Sequence, residues 1–264
     1  MEWREAGGTR WLEAKMPNAT AAFTTRIGGV SDAPFDGLNL GVFTEDELGA
    51  VVENRRRLAA VLGFSPDRVT IARQVHGGEV VVHAGPQTPS PFAEPGSPIP
   101  EVDGHVTAEP ALPLLVFVAD CVPLALSGPG GVAMLHCGWR GLASSGPTSP
   151  QAQEGSARSG LIARAVAAVG ATDAAIGPSI GPCCYEVGQE VLDAFAGLGD
   201  GVASGPMLDL PEATRRHLLD AGVEAIETAD LCTSCATDLF FSHRRDAGRT
   251  GRQAGLVWRS AGGD

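Results

Sequence analysis

The sequence predicts an α+β fold: one compact domain, residues 1–264, with a mixed β-sheet core surrounded by helices. Three observations carry this expectation. Short apolar runs bounded by Gly, Pro or Asp read as buried strands, and longer stretches with apolar residues every three or four positions read as helices. The two kinds of segment follow one another without a strict strand–helix–strand rhythm. Neither an internal repeat nor a convincing domain boundary interrupts them.

In chain order, residues 21–25 (AAFTT) predict a strand that runs into the turn-rich stretch 26–31, closed by residues 38–41. A helix follows over 45–62, because Leu48, Val51, Val52, Leu58, Ala59 and Leu62 share one face and Gly63 supplies a stop. Residues 69–75 and 79–83 read as strands around a turn at Gly77-Gly78, which puts His76 at a strand end. Prolines at 86, 89, 91, 95, 98 and 100 predict an irregular exposed loop over 85–100. Residues 114–119 (LLVFVA) form a buried strand that ends at Asp120-Cys121, and Pro123 argues against its simple continuation as a central strand. Residues 132–135 form a second buried strand ending at His136; the interval from Cys121 (136 − 121 = 15) fits adjacent strands. A second irregular stretch covers 146–155. Helices are then expected at 156–169, 189–198 and 211–221, with strands at 174–176, 223–226 and 255–258.

Composition narrows the function classes. The formal charge is 19 − 31 = −12, which opposes binding to a nucleic-acid backbone. Lys15 is the only lysine, so the positive charge is arginine, suited to bidentate contact with small anions. No apolar run approaches about 18 residues, so no membrane span is expected. The charged start Met1-Glu2-Trp3-Arg4-Glu5 is unlike a secretory signal, and the cytoplasm is the expected location. Six cysteines are too few for a disulfide scaffold of this length and point to a reduced protein with functional thiols.

Three residues stand out: His76, Cys121 and His136, each at the end of an apolar strand beside Gly, Asp or Cys. Two imidazoles and a thiolate are a set that zinc accepts with one position left open, although copper binds such ligands more strongly. A metal-free Cys–His nucleophile pair uses the same residues. Arg140, between Gly138 and Gly141, suits a phosphate or carboxylate, or else an ion pair with one of the acids. Arg26, Gly28, Gly29 and Ser31 together suit an oxyanion, with a plain surface turn as the alternative. His243 suits acid–base work or a structural pairing, whereas His83, His105 and His217 carry no motif. Cys183-Cys184 and Cys232-x-x-Cys235 supply the ligands of a structural four-cysteine site, but adjacent cysteines seldom bind one metal, so buried free thiols are expected.

Taken together, these segments resemble the YfiH-like family, known as the multicopper polyphenol oxidoreductase or laccase-domain family and also as purine nucleoside phosphorylases. The matching stretches are FTTRIGGVS from Phe23, LNLG from Leu38, QVHG from Gln74, DGHVT from Asp103, ADCVP from Ala119, HCGWRG from His136, IGPSIGPCCYEV from Ile176 and FSHRR from Phe241. They span almost the whole chain. The resemblance implies a compact fold related to toxins that use a Cys–His pair, and a zinc site at His76, Cys121 and His136. It also implies phosphorolysis of adenosine, inosine and S-methyl-5′-thioadenosine, and hydrolytic deamination of adenosine. On this basis the expected catalytic residues are Cys121, His136, Arg140 and Asp120. Arg26, Ser31, Asn39, Arg140 and His243 are expected to bind nucleoside and phosphate. The oligomeric expectation is a monomer or small homo-oligomer. A metal-free amide hydrolase is the second reading; a copper-dependent phenol oxidase ranks last, since the chain lacks the many histidines such a cluster needs. Position 137 is Cys where the family usually has Ala, which puts a second thiol next to the trio in sequence and makes it a rival ligand. The stretches 85–100 and 146–155 are longer than the family pattern.

Overall fold

The computed structural model describes residues 1–143 and 160–260. The second expanded stretch, 146–155, and the start of the helix expected at 156–169 lie outside the described residues. Among them, two sheets face each other. The first is antiparallel throughout and has the order β1-β2-β3-β13-β6, where β1 is Glu2–Ala6, β2 Thr9–Met16, β3 Ala19–Thr24, β13 Gln253–Arg259 and β6 Leu114–Val118. The second is mixed and has the order β12-β9-β7-β8-β5-β4. Its members are β12 Ala225–Thr228, β9 Asp173–Ile176, β7 Val122–Gly128, β8 Gly131–Cys137, β5 Gly104–Thr107 and β4 Val80–His83. The outer pairs β12/β9 and β4/β5 are parallel and the inner ones antiparallel. Two short strands, β10 (Ala203–Ser204) and β11 (Met207–Leu208), form a separate hairpin. The α+β class with a mixed sheet core is thus the observed one.

Strand alternation sorts the core. Leu114, Val116 and Val118 of β6 point between the sheets and meet Ala125, Met134 and Phe23. Leu115 points the other way, onto Leu58 of helix α1 (Leu48–Leu62) and Phe92 of the proline-rich loop. On the outer face of the mixed sheet, Leu124 and Leu126 of β7 and Leu135 of β8 pack under helices α3 (Leu161–Val169) and α5 (Leu210–Asp220). Two shorter helices, α2 (Trp139–Ala143) and α4 (Gln189–Phe195), lie beside them.

Several elements depart from expectation. Helix α1 starts at Leu48 rather than 45, because Asp46 is occupied by Asn39 Nδ2 at 2.8 Å and by the Glu47 N–H, which holds the preceding residues in the loop. It ends at Gly63 with φ +81°, as its sequence foretold. Residues 69–75 make isolated bridges at Thr70 and Arg73 instead of a strand; the Gln74 side chain pairs with both backbone groups of Phe117, doing for the β6 edge what a strand would do. Pro123 does sit in a central strand. Its carbonyl accepts Gly177 N–H at 2.9 Å, so its hydrogen-bonding side faces the chain just beyond the end of β9, while the N–H of the residue opposite it on β8, His136, turns away to the Asp103 carbonyl at 2.8 Å; the β7/β8 ladder therefore asks no donor of Pro123. As a result, the strand that leads to Asp120-Cys121, β6, is not the neighbour of the strand that carries His136. Cys121 marks where the chain crosses from β6 in one sheet to β7 in the other, and β7 then pairs with β8.

Candidate active site

His76, Cys121 and His136 converge. One ligand atom from each lies within 4.8 Å of the others, and His76 Nε2 is 3.8 Å from Cys121 Sγ. The imidazoles of His76 and His136 meet edge to face with centroids 4.8 Å apart. A tetrahedral zinc with N and S ligands separates its donor atoms by roughly 3.3–3.8 Å, so the trio has the spacing and chemistry to hold a metal ion with a position to spare. Gly138 makes room for it: a Cβ there would lie 2.7 Å from His76 Cδ2 and 3.5 Å from Cys121 Sγ.

A fourth residue positions two of the three. The carboxylate of Asp103 accepts the N–H groups of Val75, His76 and Gly77 at 3.2, 2.9 and 2.6 Å, which holds His76 in the left-handed region at φ +58°. It also binds His136 Nδ1 at 2.7 Å, leaving Nε2 to face the group. Asp103 is fully buried, and although burial opposes its charge, His136 and the backbone donors hold it below the ordinary carboxylate range. Its signal in the sequence was only the motif DGHVT, which says nothing about what the carboxylate touches.

The electrostatics of the metal-free trio favour a thiolate–imidazolium pair. Burial would raise the Cys121 thiol, but His136 and His76 outweigh it and bring it down to about 6. Burial would likewise lower His136, but the Cys121 thiolate and Asp103 raise it to about 9. Cys137 takes no part. Successive residues of β8 face opposite ways, so His136 turns toward the trio while Cys137 is fully buried among Leu124, Leu135 and Leu161. Burial pushes its thiol well above the ordinary value. The expected rival ligand is a core residue.

The trio opens into a cavity of about 740 Å³, the size of a small-molecule site. Asp120, Arg140 and His243 line it, together with Tyr185, Arg244 and Arg252, which residue-by-residue reading passed over. Arg140 is exposed, has no carboxylate partner among the described residues, and stacks on Trp139 with its guanidinium 4.5 Å from the ring centroid. Arg244 lies 5.0 Å from the Tyr185 ring and donates to the Glu186 carbonyl. Asp120, at φ +93°, has both carboxylate oxygens occupied, by the Thr233 hydroxyl at 2.6 Å and by Arg244 N–H at 2.7 Å. Burial raises the Tyr185 phenol to about 12, so it stays neutral. Pro91 and Pro95 bring the first expanded loop to the cavity wall, where Arg55 from α1 anchors it through the Pro91 and Phe92 carbonyls.

Arg26, Ser31 and Asn39 do not line the cavity. Arg26 is engaged by Asp36 at 2.7 Å and lies 4.6 Å over the Phe241 ring. Ser31 Oγ accepts from Asn54 at 2.9 Å, and Asn39 is fully buried, bonding to Thr44, Asp46 and the backbone of Gly41 and Arg252. These three hold the 26–41 loop together. The polar residue types that suggested an anion site are satisfied internally.

A family described as multi-copper polyphenol oxidoreductase laccase matches residues 20–260. The chain belongs to this family. Similar proteins include the purine nucleoside phosphorylase YlmD of Geobacillus stearothermophilus, 37% identical over 97% of this chain and 96% of that one. A purine nucleoside phosphorylase of Deinococcus radiodurans is 40% identical over 96% of this chain and 94% of its own length. The crystal structure of YlmD superposes with a TM-score of 0.82 at 35% identity, covering 97% of this chain and 98% of that one. The laccase-family fold thus extends over essentially the whole chain. No helix among the described residues is long and apolar enough to cross a membrane.

Proposed function

We propose that the protein is a zinc-dependent purine nucleoside enzyme that cleaves adenosine, inosine and S-methyl-5′-thioadenosine by phosphorolysis and also deaminates adenosine. The observation that carries this reading is the placing of a His–Cys–His donor set at a cavity of nucleoside size whose wall carries several arginines. The names of the relatives point the same way.

His76, Cys121 and His136 would hold the metal, which supplies Lewis acidity and acidifies water. Asp103 orients His136 and fixes the His76 backbone. For phosphorolysis, a phosphate oxygen bonds to the ribose C1′ as the bond from C1′ to the purine nitrogen breaks, and the purine leaves with a proton. In this reading Arg140 and Arg244, which line the cavity, would hold the phosphate anion, Arg244 in the part that the sequence suggested for Arg26. Asp120, with both oxygens bonded, keeps the Arg244 backbone in position, so His243 is the better placed of the two to pass a proton to the leaving base.

The test is metal analysis coupled to product identification from adenosine with and without phosphate. Cys121→Ala should remove the metal of the trio and both activities together; full turnover by that variant without the metal sinks the zinc mechanism. Arg140→Ala should raise the KM for phosphate while deamination changes little, and equal loss of both removes its role as phosphate clamp.

A second reading has one specific observation behind it. Asp103, His136 and Cys121 are connected like the orienting acid, base and nucleophile of a thiol hydrolase, with the thiol brought down to about 6. Alkylation that abolishes activity in protein stripped of metal favours an amide hydrolase; activity that disappears with a chelator and returns with zinc favours the first reading. The laccase description has the least support at this cavity, where two histidines and one cysteine form the donor group.

A further inference from the structure

A second set of metal-type donors lies outside the cavity. Strands β9 and β12 are parallel neighbours, paired from Asp173↔Ala225 to Ile176↔Thr228, so the chain leaves both at the same end of the sheet. The two exits stay together: Ser179 bridges Cys232, Ser179 N–H bonds to the Leu231 carbonyl at 3.2 Å, and Thr233 N–H bonds to the Ser179 carbonyl at 2.9 Å. The first exit then turns at Gly181, whose carbonyl accepts the N–H groups of both Cys184 and Tyr185. That turn brings two adjacent cysteines to the cysteines of the other exit.

Cys235 Sγ is 3.3 Å from Cys184 Sγ and 3.5 Å from Cys183 Sγ, and all four sulfurs, Cys232 included, lie within 4.8 Å of one another. Gly181 N–H donates to Cys232 Sγ at 3.3 Å, the kind of bond that favours a thiolate. Gly181 sits directly against the cluster: a Cβ there would be at ordinary contact distance, 3.4 Å from Cys232 Cβ and 3.5 Å from Cys183 Sγ. Four sulfurs around a tetrahedral zinc, each at about 2.3 Å from it, are separated by about 3.8 Å. Cys235 stands nearly equidistant from two partners, which is the arrangement of a shared centre rather than of a disulfide pair. The cysteines are half-buried or exposed, not the buried thiols that the sequence suggested, and all are free.

We propose that Cys183, Cys184, Cys232 and Cys235 form a tetrathiolate zinc site, separate from the His76–Cys121–His136 group, that fastens a segment of the cavity wall to the segment that holds Asp120. One segment carries Ile180 and Tyr185, which line the cavity. The other carries Thr233, whose hydroxyl holds Asp120 and whose carbonyl accepts from Arg245 at 3.1 Å. Binding releases the thiol protons and leaves no ligand position open, so this ion serves structure and not chemistry.

The experiment is metal counting on the full chain purified under reducing conditions from zinc-replete medium. Wild-type protein should hold two zinc ions per chain. Cys121→Ser should keep one, and the Cys184→Ser/Cys235→Ser double variant should lose that one while retaining the ion of the trio. Cobalt substituted into Cys121→Ser protein should show strong thiolate-to-cobalt charge-transfer absorption. A Cys121→Ser chain that holds no metal overturns the proposal, whether mass spectrometry then finds disulfides among the four cysteines or four free thiols. Because Cys121→Ser leaves the cluster intact, that answer stands even if the double variant does not fold. It is also independent of which reaction the cavity performs.

Discussion

The Asp103 carboxylate receives three consecutive backbone N–H groups and an imidazole, so a single side chain sets the backbone of His76 and the ring of His136. Replacing it by Asn keeps the size but removes the charge and turns one acceptor into a donor. Asp103→Asn should weaken metal retention by the trio by about 10–100-fold, in line with losses of such supporting contacts elsewhere. Competition with a chelating dye measures it; unchanged affinity would mean that Asp103 serves folding only. The neighbour of His136 is the opposite case. Cys137→Ala should leave metal content unchanged and cost about 1 kcal/mol of stability through the small cavity left in the core. Metal lost with Cys137 would show that the thiol reaches the site. Neither role could be read from adjacency along the chain: residues 136 and 137 are neighbours in sequence and face opposite sides of a sheet.

Strands β4 and β5 carry a buried histidine pair that the motif reading passed over. His83 Nε2 and His105 Nδ1 are 3.0 Å apart, and the rings stack. Burial lowers both; with His83 beside it, and despite the opposing pull of Asp103, His105 falls to about 3 from an ordinary 6.5. Above about pH 6.5 neither the folded nor the unfolded state binds the His105 proton, and its effect on stability is constant. As pH falls from 6.5 toward 3 the unfolded chain takes the proton and the folded chain does not, so stability is lost at up to about 1.4 kcal/mol per pH unit. Denaturant titrations across that window should show this slope, and His105→Gln should reduce it; an identical slope in the variant would place the acid sensitivity elsewhere. Elements with strong local signals were legible: α1 and α5 from apolar periodicity, β6 and β8 from apolar runs. Strand β1 was not, because Glu2–Ala6 is exposed throughout and pairs along one edge only. Strand β7 was hidden by Pro123, which fits there because its hydrogen-bonding side faces the chain just past the end of β9 rather than β8.

At the scale of the whole molecule, two sheets pressed face to face bring the site together. Gly255 on β13 marks how closely they approach: a Cβ there would meet Met134 and lie 2.6 Å from Pro123 Cβ on the facing sheet. Gly255→Ala should therefore cost about 1–3 kcal/mol by overpacking, read as a lower denaturation midpoint; no change would mean the sheets can part at that point without penalty. The amino-acid sequence by itself determined the α+β class, the main buried strands and the identity of the three metal-type donors, because apolar periodicity and strand ends are local properties. The tertiary structure alone decided that Asp103 positions His76 and His136, that Arg244 lines the cavity while Arg26 does not, and that four cysteines from two distant stretches meet. Each of those outcomes depends on contacts between residues far apart in the chain, such as Asp120 with Arg244 and Cys183 with Cys235, and the relevant distances exist only once the sheets are packed.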